Sequence, residues 1–417
     1  MQTVRHVRSG EFGLLLTFHK PRFVCKDCGK SFYLKPEWVV SNMSITTHVL
    51  IEIVSKLTSS THCLEQIAKD TNTSAAIVLN VMYHIKLNKP SELPETLGID
   101  EFHGKTGTYN PTTRRFDTEK YHCVITDPDG GCVLDILYKA TYRELYDYFI
   151  EYPPYLRSKV KYFCADMRGG FSKVARKCFP HAKICIDPFH VIKLINEAVD
   201  GARLTAWHAL TDKANEQKAM ADQAQADGDG ELAALKLLEM KKTRDDAALI
   251  KASHKLLTTS PFNPEAYWNR HDEKRDQRLE DIYAIAPELE TAREALGEFH
   301  AIVHRTTYSE RRKGLNEWIN TYTSCEIPSI RQAAFSIKKH RQGIENAWKY
   351  HKSNGPTEGL NKKIKDIRRM GFGAHHFENF RRRALLACGS TTIETVRYTI
   401  FDEKSTSPGK EGFPLYG

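Results

Sequence analysis

The chain has 417 residues, and 61 Lys and Arg against 52 Asp and Glu give it a moderately basic net charge of +9. A chain of this length is too long to fold around one simple hydrophobic core, so we expect two to four domains. No apolar run approaches the roughly 18 residues that a membrane span needs, and the short run at 12–18 lacks the features of a signal peptide. Ten scattered cysteines are typical of a reduced cytoplasm and exclude a disulfide scaffold.

Residues 1–36 contain one C-x-x-C pair, Cys25 and Cys28, in a knuckle of the zinc-ribbon kind. A structural zinc needs four ligands, and this pair supplies two. His6 and His19 could complete the set, although neither has a standard spacing. The alternative is a ribbon remnant in which both cysteines are free thiols. We therefore predict a partial zinc ribbon and leave zinc binding open.

Residues 37–90 are predicted to form a helix-turn-helix DNA-binding domain. Thr61 can cap a first helix that carries Leu64 and Ile67, and Ser74 or Thr73 can cap a second. Apolar positions 77, 78, 81 and 85 would pack inward. The side that could face a DNA groove then carries Ser74, Ala75, Ala76, Asn80 and Tyr83. The second helix has no Arg or Lys before position 86, which weakens base reading, so an ordinary helical hairpin remains the alternative.

From about residue 91 the pattern is α/β. Two apolar runs, 97–102 and 160–167, are predicted strands that end at Asp100 and Asp166, where sites of open α/β sheets collect. Further strands are expected at 121–126 and 132–137, joined by a turn, and at 182–186, with helices at 141–150 and 171–179. This order predicts an RNase H-like mixed sheet, whose first part spans 91–200.

Asp187 and His190 open the next helix, three residues apart. They could form a pair that orients DNA. Alternatively, Asp187 could cap the helix, with His190 behind it making its hydrogen bonds within the protein. Residues 201–345 are helix-forming throughout and are predicted to be an all-helical insertion, broken near residue 229. Its Leu232, Leu235 and Leu238 recur every three residues and are expected to pack. Trp318 and Trp348 are expected to be buried rather than to stack on bases.

Residues 346–400 are predicted to return to the catalytic fold, followed by a tail at 401–417. Gly355-Pro356 can start a helix whose first turn holds Glu358, where a helix N-terminus favours negative charge. Lys362, Lys365 and Arg369 follow at helical spacing and share its face. Residues 331–385 hold fourteen Lys and Arg against four Asp and Glu, so positive charge concentrates beside Glu358. The alternative is a solvated surface helix.

Asp100, Asp166 and Glu358 in these contexts resemble the acidic triad of bacterial insertion-sequence DDE transposases of the ISL3 type. The resemblance covers roughly residues 40–390 and rests on motifs that occur in the right order. They are Ile99-Asp100-Glu101-Phe102, Asp166-Met167, the run 186–193, Gly355-Pro356-Thr357-Glu358-Gly359-Leu360-Asn361 and the run 377–381. Transposases of this type carry an earlier C-x-x-C that this sequence lacks.

The resemblance implies metal-dependent cleavage and strand transfer on DNA. Asp100, Asp166 and Glu358 would be catalytic and would hold Mg²⁺ or Mn²⁺, which prefer hard oxygen ligands. Asp187, His190 and Asn361 would orient DNA or the metal ligands, and Lys362, Lys365 and Arg369 would hold phosphates. Expected partners are terminal inverted repeats, target DNA and at least a second copy of the chain, with no membrane. We expect a bacterial cytoplasmic protein that associates with the nucleoid through DNA.

Two other functions stay open. A transposase-derived repressor would use the helix-turn-helix and the basic stretch without metals. A metal-dependent nuclease acting on RNA or branched DNA would use the carboxylates without joining ends.

Overall fold

The computed structural model describes residues 1–33, 36–105, 109–110, 115–116, 120–167, 169–259, 273–370 and 377–390. The predicted tail at 401–417 and the end of the preceding segment lie outside these residues. The chain divides into two compact units. One comprises Met1–Phe163, Lys173–Ala182 and the part from Asn354 onward; the other comprises Cys164–Ser172 and Lys183–Ser353. No helix in the described ranges is long and apolar enough to cross a membrane.

The first unit begins with two small antiparallel hairpins. Strands β1 (Gln2–Ser9) and β2 (Phe12–Phe18) form the first, and β3 (Arg22–Val24) and β4 (Ser31–Tyr33) form the second. Cys25 and Cys28 lie in the turn of the second hairpin. The Cys25 N–H donates to Lys30 O, and the Gly29 N–H donates to Cys25 O. The expected knuckle is therefore present in the backbone.

Three helices follow, α1 (Thr47–Leu57), α2 (Leu64–Asp70) and α3 (Ala75–His84). They share one apolar core, in which Ile53, Ile67 and Val81 are fully buried. Ser74 caps α3 as predicted, since its Oγ accepts from the Ile77 N–H. The predicted cap at Thr61 was wrong: Cys63 caps α2, with its Sγ accepting from the Gln66 N–H. The Thr61 hydroxyl instead bonds Ser59 and His62 before the helix begins.

The α/β part contains the predicted mixed sheet. Its elements, in chain order, are β5 (Thr96–Lys105), β6 (Tyr109–Asn110), β7 (Arg115–Phe116), β8 (Lys120–Asp127), β9 (Cys132–Leu137), α4 (Tyr142–Ile150), α5 (Pro154–Arg157), β10 (Tyr162–Ala165), α6 (Gly169–Cys178) and β11 (Lys183–Ile186). Five of the strands form one sheet in the order β11-β10-β5-β8-β9. This confirms the RNase H-like order, including the hairpin between β8 and β9.

The two aspartates differ in their position along their strands. Asp166 directly follows β10, as predicted. Asp100 was expected to end its strand, and that was wrong, because β5 continues for five residues to Lys105. The cause is pairing with β8, which runs from Gly98↔Thr126 past Asp100↔Val124 to Lys105↔Lys120. Asp100 therefore lies in the middle of a central strand.

The second unit is a large helical assembly, as the sequence predicted. Its helices are α7 (Pro188–Ala226), α8 (Gly230–Ala252), α9 (His254–Thr258), α10 (Glu273–Ile285), α11 (Glu288–His304), α12 (Tyr308–Tyr322) and α13 (Pro328–Tyr350). The break between α7 and α8 falls at residues 227–229, where it was expected. Trp318 and Trp348 are buried, and the Trp318 indole N–H donates to Ala295 O at 2.8 Å.

The leucines of α8 do not pack as predicted. Leu232, Leu235 and Leu238 are 42%, 51% and 67% exposed. The buried positions of the α7–α8 hairpin are mostly alanines, such as Ala221 and Ala224 on α7 and Ala233 and Ala247 on α8. Small side chains let two helices approach closely, and the bulkier leucines are left outside this seam.

The chain returns to the first unit with α14 (Gly355–Met370) and α15 (Phe377–Cys388). Both pack on the sheet through one core that includes Phe102, Val124, Ile364 and Ala384. The buried side of α14 is formed by Thr357, Leu360, Asn361, Ile364 and Ile367. Its N-terminal turn, with Glu358, is thereby placed beside β5 and β8.

Candidate active site on strand β5 and helix α14

A direct hydrogen bond joins Asp100 to α14. The Asn361 side-chain N–H donates to Asp100 Oδ2 at 2.5 Å, and the Glu101 backbone N–H donates to Oδ1 at 2.8 Å. Asn361 is 2% exposed, whereas Asp100 is half-buried. A carboxylate that accepts two hydrogen bonds has a fixed orientation, as a ligand or a catalytic group requires. The structure thus brings together two of the residues named from the sequence.

The start of α14 is attached to the sheet by two further contacts. The Asn354 side chain donates to Ile99 O at 3.2 Å, one residue before Asp100. The hydroxyls of Thr357 and Thr126 share a buried hydrogen bond of 2.7 Å. The sequence analysis gave Asn354, Thr357 and Thr126 no role in the site; the polar positions on the otherwise apolar side of α14 were the available signal. They fix the turn that carries Glu358.

Gly98 makes this close approach possible. A Cβ at position 98 would overlap the hydroxyl oxygens of both Thr126 and Thr357. We expect Gly98→Ala to lower the free energy of unfolding by about 1–3 kcal/mol, as overpacking of a core typically does. Denaturant unfolding followed by circular dichroism measures this.

Gly359→Ala on α14 is the matched control, because a Cβ there meets no atom within 4 Å. It should leave stability unchanged or raise it slightly, since alanine favours helix. Adding Thr357→Ala to Gly98→Ala should relieve part of the overlap, so that the double variant loses less than the sum of the two. A Gly98→Ala protein as stable as the wild type would show that α14 is not tightly packed against β5 at Gly98.

The outward side of α14 carries the charges that the sequence placed there. Glu358, Lys362, Lys365 and Arg369 are all exposed. Glu358 lies in the first turn, and its backbone N–H donates to Asn354 O. Arg369 pairs with Asp366 at 3.3 Å, on a surface where such pairs contribute little. The helix therefore presents Glu358 in its first turn, followed at helical spacing by the cations Lys362, Lys365 and Arg369.

Asp166 and the pair Asp187 and His190 belong to the second unit. Asp166 is half-buried in its segment Cys164–Ser172. Asp187 caps α7, because its side chain accepts from the Phe189 N–H at 2.9 Å, and it also accepts from Ser353 Oγ at 2.8 Å. The His190 ring packs edge-on against Phe189. The capping interpretation of Asp187 is confirmed, and a role in orienting DNA stays a prediction.

The chemistry of the groups at Asp100 fits a hard divalent cation. The carboxylate is accompanied by the Asn361 amide oxygen, which is buried and accepts no hydrogen bond from the described part of the chain. Carboxylate and amide oxygens are ligands that Mg²⁺ and Mn²⁺ accept. Across the described ranges, no three His, Cys, Asp or Glu side chains gather into a metal-holding group. The joint placement of Asp100, Asp166 and Glu358 therefore stays a prediction.

The side of α3 that could face DNA is partly engaged inside the protein. Ala75 and Ala76 are exposed and Asn80 is half-buried. Tyr83 is 40% exposed, but its hydroxyl donates to Asn379, and the Arg382 guanidinium lies 5.1 Å from its ring centre. The beginning of α3 is thus more open to a ligand than its end.

Both knuckle cysteines are free thiols in the structure. The backbone N–H groups of Cys28 and Asp27 lower the pKa of the Cys25 thiol, as in a metal-binding knuckle. His6, a possible third ligand, is engaged with the Thr46 hydroxyl at 2.9 Å. His19, the other possible ligand, is exposed.

We expect less than one zinc per chain in the purified protein, because the knuckle supplies two of the four ligands that a closed site needs. Elemental analysis after exhaustive dialysis measures the metal content. A Cys25→Ser, Cys28→Ser variant is the control for zinc held at the knuckle. One tightly held zinc per chain, lost in that variant, would overturn the expectation and point to His6, His19 or ligands from a second chain.

Comparison with known proteins identifies the family. A family model described as transposase, of the ISL3 DDE type, matches residues 97–384. The transposase for insertion sequence element IS1557 of Mycobacterium tuberculosis is 28% identical over 264 residues, which cover 62% of this chain and 51% of that protein. The transposase for IS1001 of Bordetella parapertussis is 22% identical over 387 residues, covering 91% of this chain and 83% of that one. The chain thus spans about half the length of the IS1557 transposase, and, because the family model covers most of it, the chain belongs to the ISL3 transposase family.

Proposed function

We propose that this chain is a DDE transposase that binds the terminal inverted repeats of an insertion sequence and performs strand cleavage and strand transfer. The observation that supports this best is the attachment of α14 to β5, which places an oriented Asp100 beside a helix that carries Glu358 and the exposed cations Lys362, Lys365 and Arg369. A repressor would have no need of a half-buried, oriented carboxylate on the central strand.

Asp100, Asp166 and Glu358 would hold Mg²⁺ or Mn²⁺, with the Asn361 oxygen as a further donor. The ions would supply Lewis-acid activation of the attacking hydroxyl and stabilisation of the leaving oxygen. Asn361 holds Asp100 in one orientation through its N–H. Lys362, Lys365 and Arg369 would bind phosphates and hold the DNA backbone along α14. Asp187 would act indirectly, by fixing the start of α7 and bonding Ser353.

The test uses the full chain and a duplex that carries an end of the insertion sequence encoding it. With Mg²⁺ or Mn²⁺, we expect a nick at the end of the element and joining of the freed 3′-hydroxyl to a second DNA. Binding without cleavage under either metal would favour the repressor. Cleavage of branched DNA or RNA, without a preference for element ends and without joining, would favour the nuclease.

A further inference from the structure

Helix α15 carries three consecutive arginines, Arg381, Arg382 and Arg383, and belongs to two hydrophobic cores. Its Leu386 packs among the buried residues of α1, α2 and α3. Its Phe380, Ala384 and Leu385 pack with β8, β9 and α14. Neighbouring helical positions point about 100° apart, so three adjacent residues reach opposite sides of one helix. Through this geometry the arginines join the three-helix module, formed by α1, α2 and α3, to the sheet.

Arg381 binds the sheet. Its Nε lies 2.8 Å and its Nη2 2.6 Å from Asp135 Oδ1 on β9. The Asp135 side chain is 4% exposed, and the same oxygen accepts from the Ile136 backbone N–H. A buried pair with this many hydrogen bonds is oriented and rigid.

Arg383 binds the three-helix module. Its guanidinium donates to Leu57 O at the end of α1, and to Ser59 O and His62 O in the connection to α2. The residue is 7% exposed, and burial lowers the pKa of its guanidinium to about 10. The C-terminal carbonyls of a helix carry partial negative charge, which suits a buried cation. One side chain thus holds the end of α1 and the connection to α2 against α15.

Arg382 binds the end of α3. It donates to Ile85 O at 3.1 Å and to Met82 O at 3.4 Å, and it lies over the Tyr83 ring. Tyr83 in turn donates to Asn379 on α15. Helices α1 and α3 are therefore attached to α15 through side-chain bonds to their C-terminal carbonyls, and the connection between α1 and α2 is held in the same way.

We propose that Arg382 and Arg383 are positioning residues that hold the three-helix module at one distance from the sheet that carries Asp100. This rests on the proposed function for its consequence: DNA bound at the start of α3 is presented in a fixed register, so that the cut falls a fixed number of nucleotides from the bound sequence. The arginines themselves touch neither the DNA nor the reacting atoms.

The first measurement does not depend on activity. Spin labels are attached to non-canonical amino acids that replace Ala76 of α3 and Lys139, just after β9. Pulsed electron paramagnetic resonance then measures the distance between the module and the sheet. We expect one narrow distance distribution in the wild type and a distribution at least twice as broad in Arg382→Met, Arg383→Met. The single variants should give distributions of intermediate width. Arg383→Lys retains the positive charge and serves as a folded comparison.

Arg203→Met is the matched control. Arg203 is also a buried arginine that donates to helix C-terminal carbonyls, Ile250 O and Lys251 O, but it lies within the second unit. It should destabilise the protein comparably and leave the label distance narrow. A narrow, unchanged distance in the double variant, with the protein folded, would overturn the proposal.

The second measurement maps cleavage positions on end DNA by sequencing. The wild type should cleave mainly at one position. In the double variant the fraction of cleavage at that position should fall at least threefold, with the remainder at neighbouring positions, while the protein still binds the DNA. Arg203→Met should keep one position. A wild type that does not cleave would defeat the proposed function, whereas the label distances would still decide the coupling. A double variant that cleaves at a single unshifted position would remove the positioning role.

Discussion

Asp100→Asn, Asp166→Asn and Glu358→Gln are each expected to abolish cleavage of end DNA while binding stays within about threefold of the wild type. Each substitution removes a negative charge and keeps the shape of the side chain. A ligand of a catalytic metal contributes several kcal/mol to the transition state, and about 4 kcal/mol corresponds to a factor of about 10³ in rate. Affinity depends mainly on neutralised phosphates, which these substitutions leave in place.

The measurement pairs a nicking assay with a filter-binding titration at the same salt concentration. Asp366→Asn is a suitable control, since Asp366 is a half-exposed carboxylate on the same helix as Glu358 and pairs only with Arg369 among its described ion pairs. It should keep near-normal cleavage. Cleavage close to the wild-type rate in any of the three main variants would remove that residue from the triad, and weakened binding in all three would indicate a folding defect instead.

The parts of the fold that the sequence predicted are those with local signals. The hairpin of β8 and β9 has strong turn residues between two apolar runs, and Asp187 and Ser74 have the side chains that cap helices. The first turn of α14 was identified by Pro356 and Glu358 in the same way. Each of these depends on residues close together in sequence, so a single sequence is sufficient.

The parts that were missed depend on distant partners. Asp100 lies mid-strand because β8 extends the pairing to residue 105, and nothing near Asp100 encodes that length. The leucines of α8 point outward because alanines on α7 and α8 form the seam. Asn354 and Thr357 meet Ile99 and Thr126 across more than 200 residues. Such contacts are visible only when the elements have been placed.

The bond between Asn361 and Asp100 is a property of the fold, and it explains why an asparagine lies three residues after Glu358 on the buried side of α14. The roles of Glu358 and Asp166 depend on chemistry that the carboxylate variants measure. Because α14 is attached to the sheet, its exposed side faces in one fixed direction. The cations on that side can therefore be tested together as one surface.

Replacing Lys362, Lys365 and Arg369 with alanine is expected to weaken binding to end DNA and to random duplex alike. All three are exposed on the outward side of α14, and the described ion pairs involve only Arg369. Contacts to phosphates position DNA without reading its sequence, so specificity should change little. Each lost contact lowers the slope of log affinity against log salt by about 0.9 on duplex DNA, so the triple variant should lose up to about 3.

The control must remove the same charge elsewhere, because net charge alone affects association. Lys218, Lys241 and Lys242 are exposed on α7 and α8, and their triple alanine variant carries the same charge as the α14 variant. Fluorescence anisotropy over a series of salt concentrations gives both slopes. If the two variants behave alike, the effect is one of total charge. If only the α14 variant loses slope, the phosphates lie along the helix whose first turn holds Glu358. The salt dependence counts phosphate contacts, so the residues whose removal lowers the slope are the residues that form them.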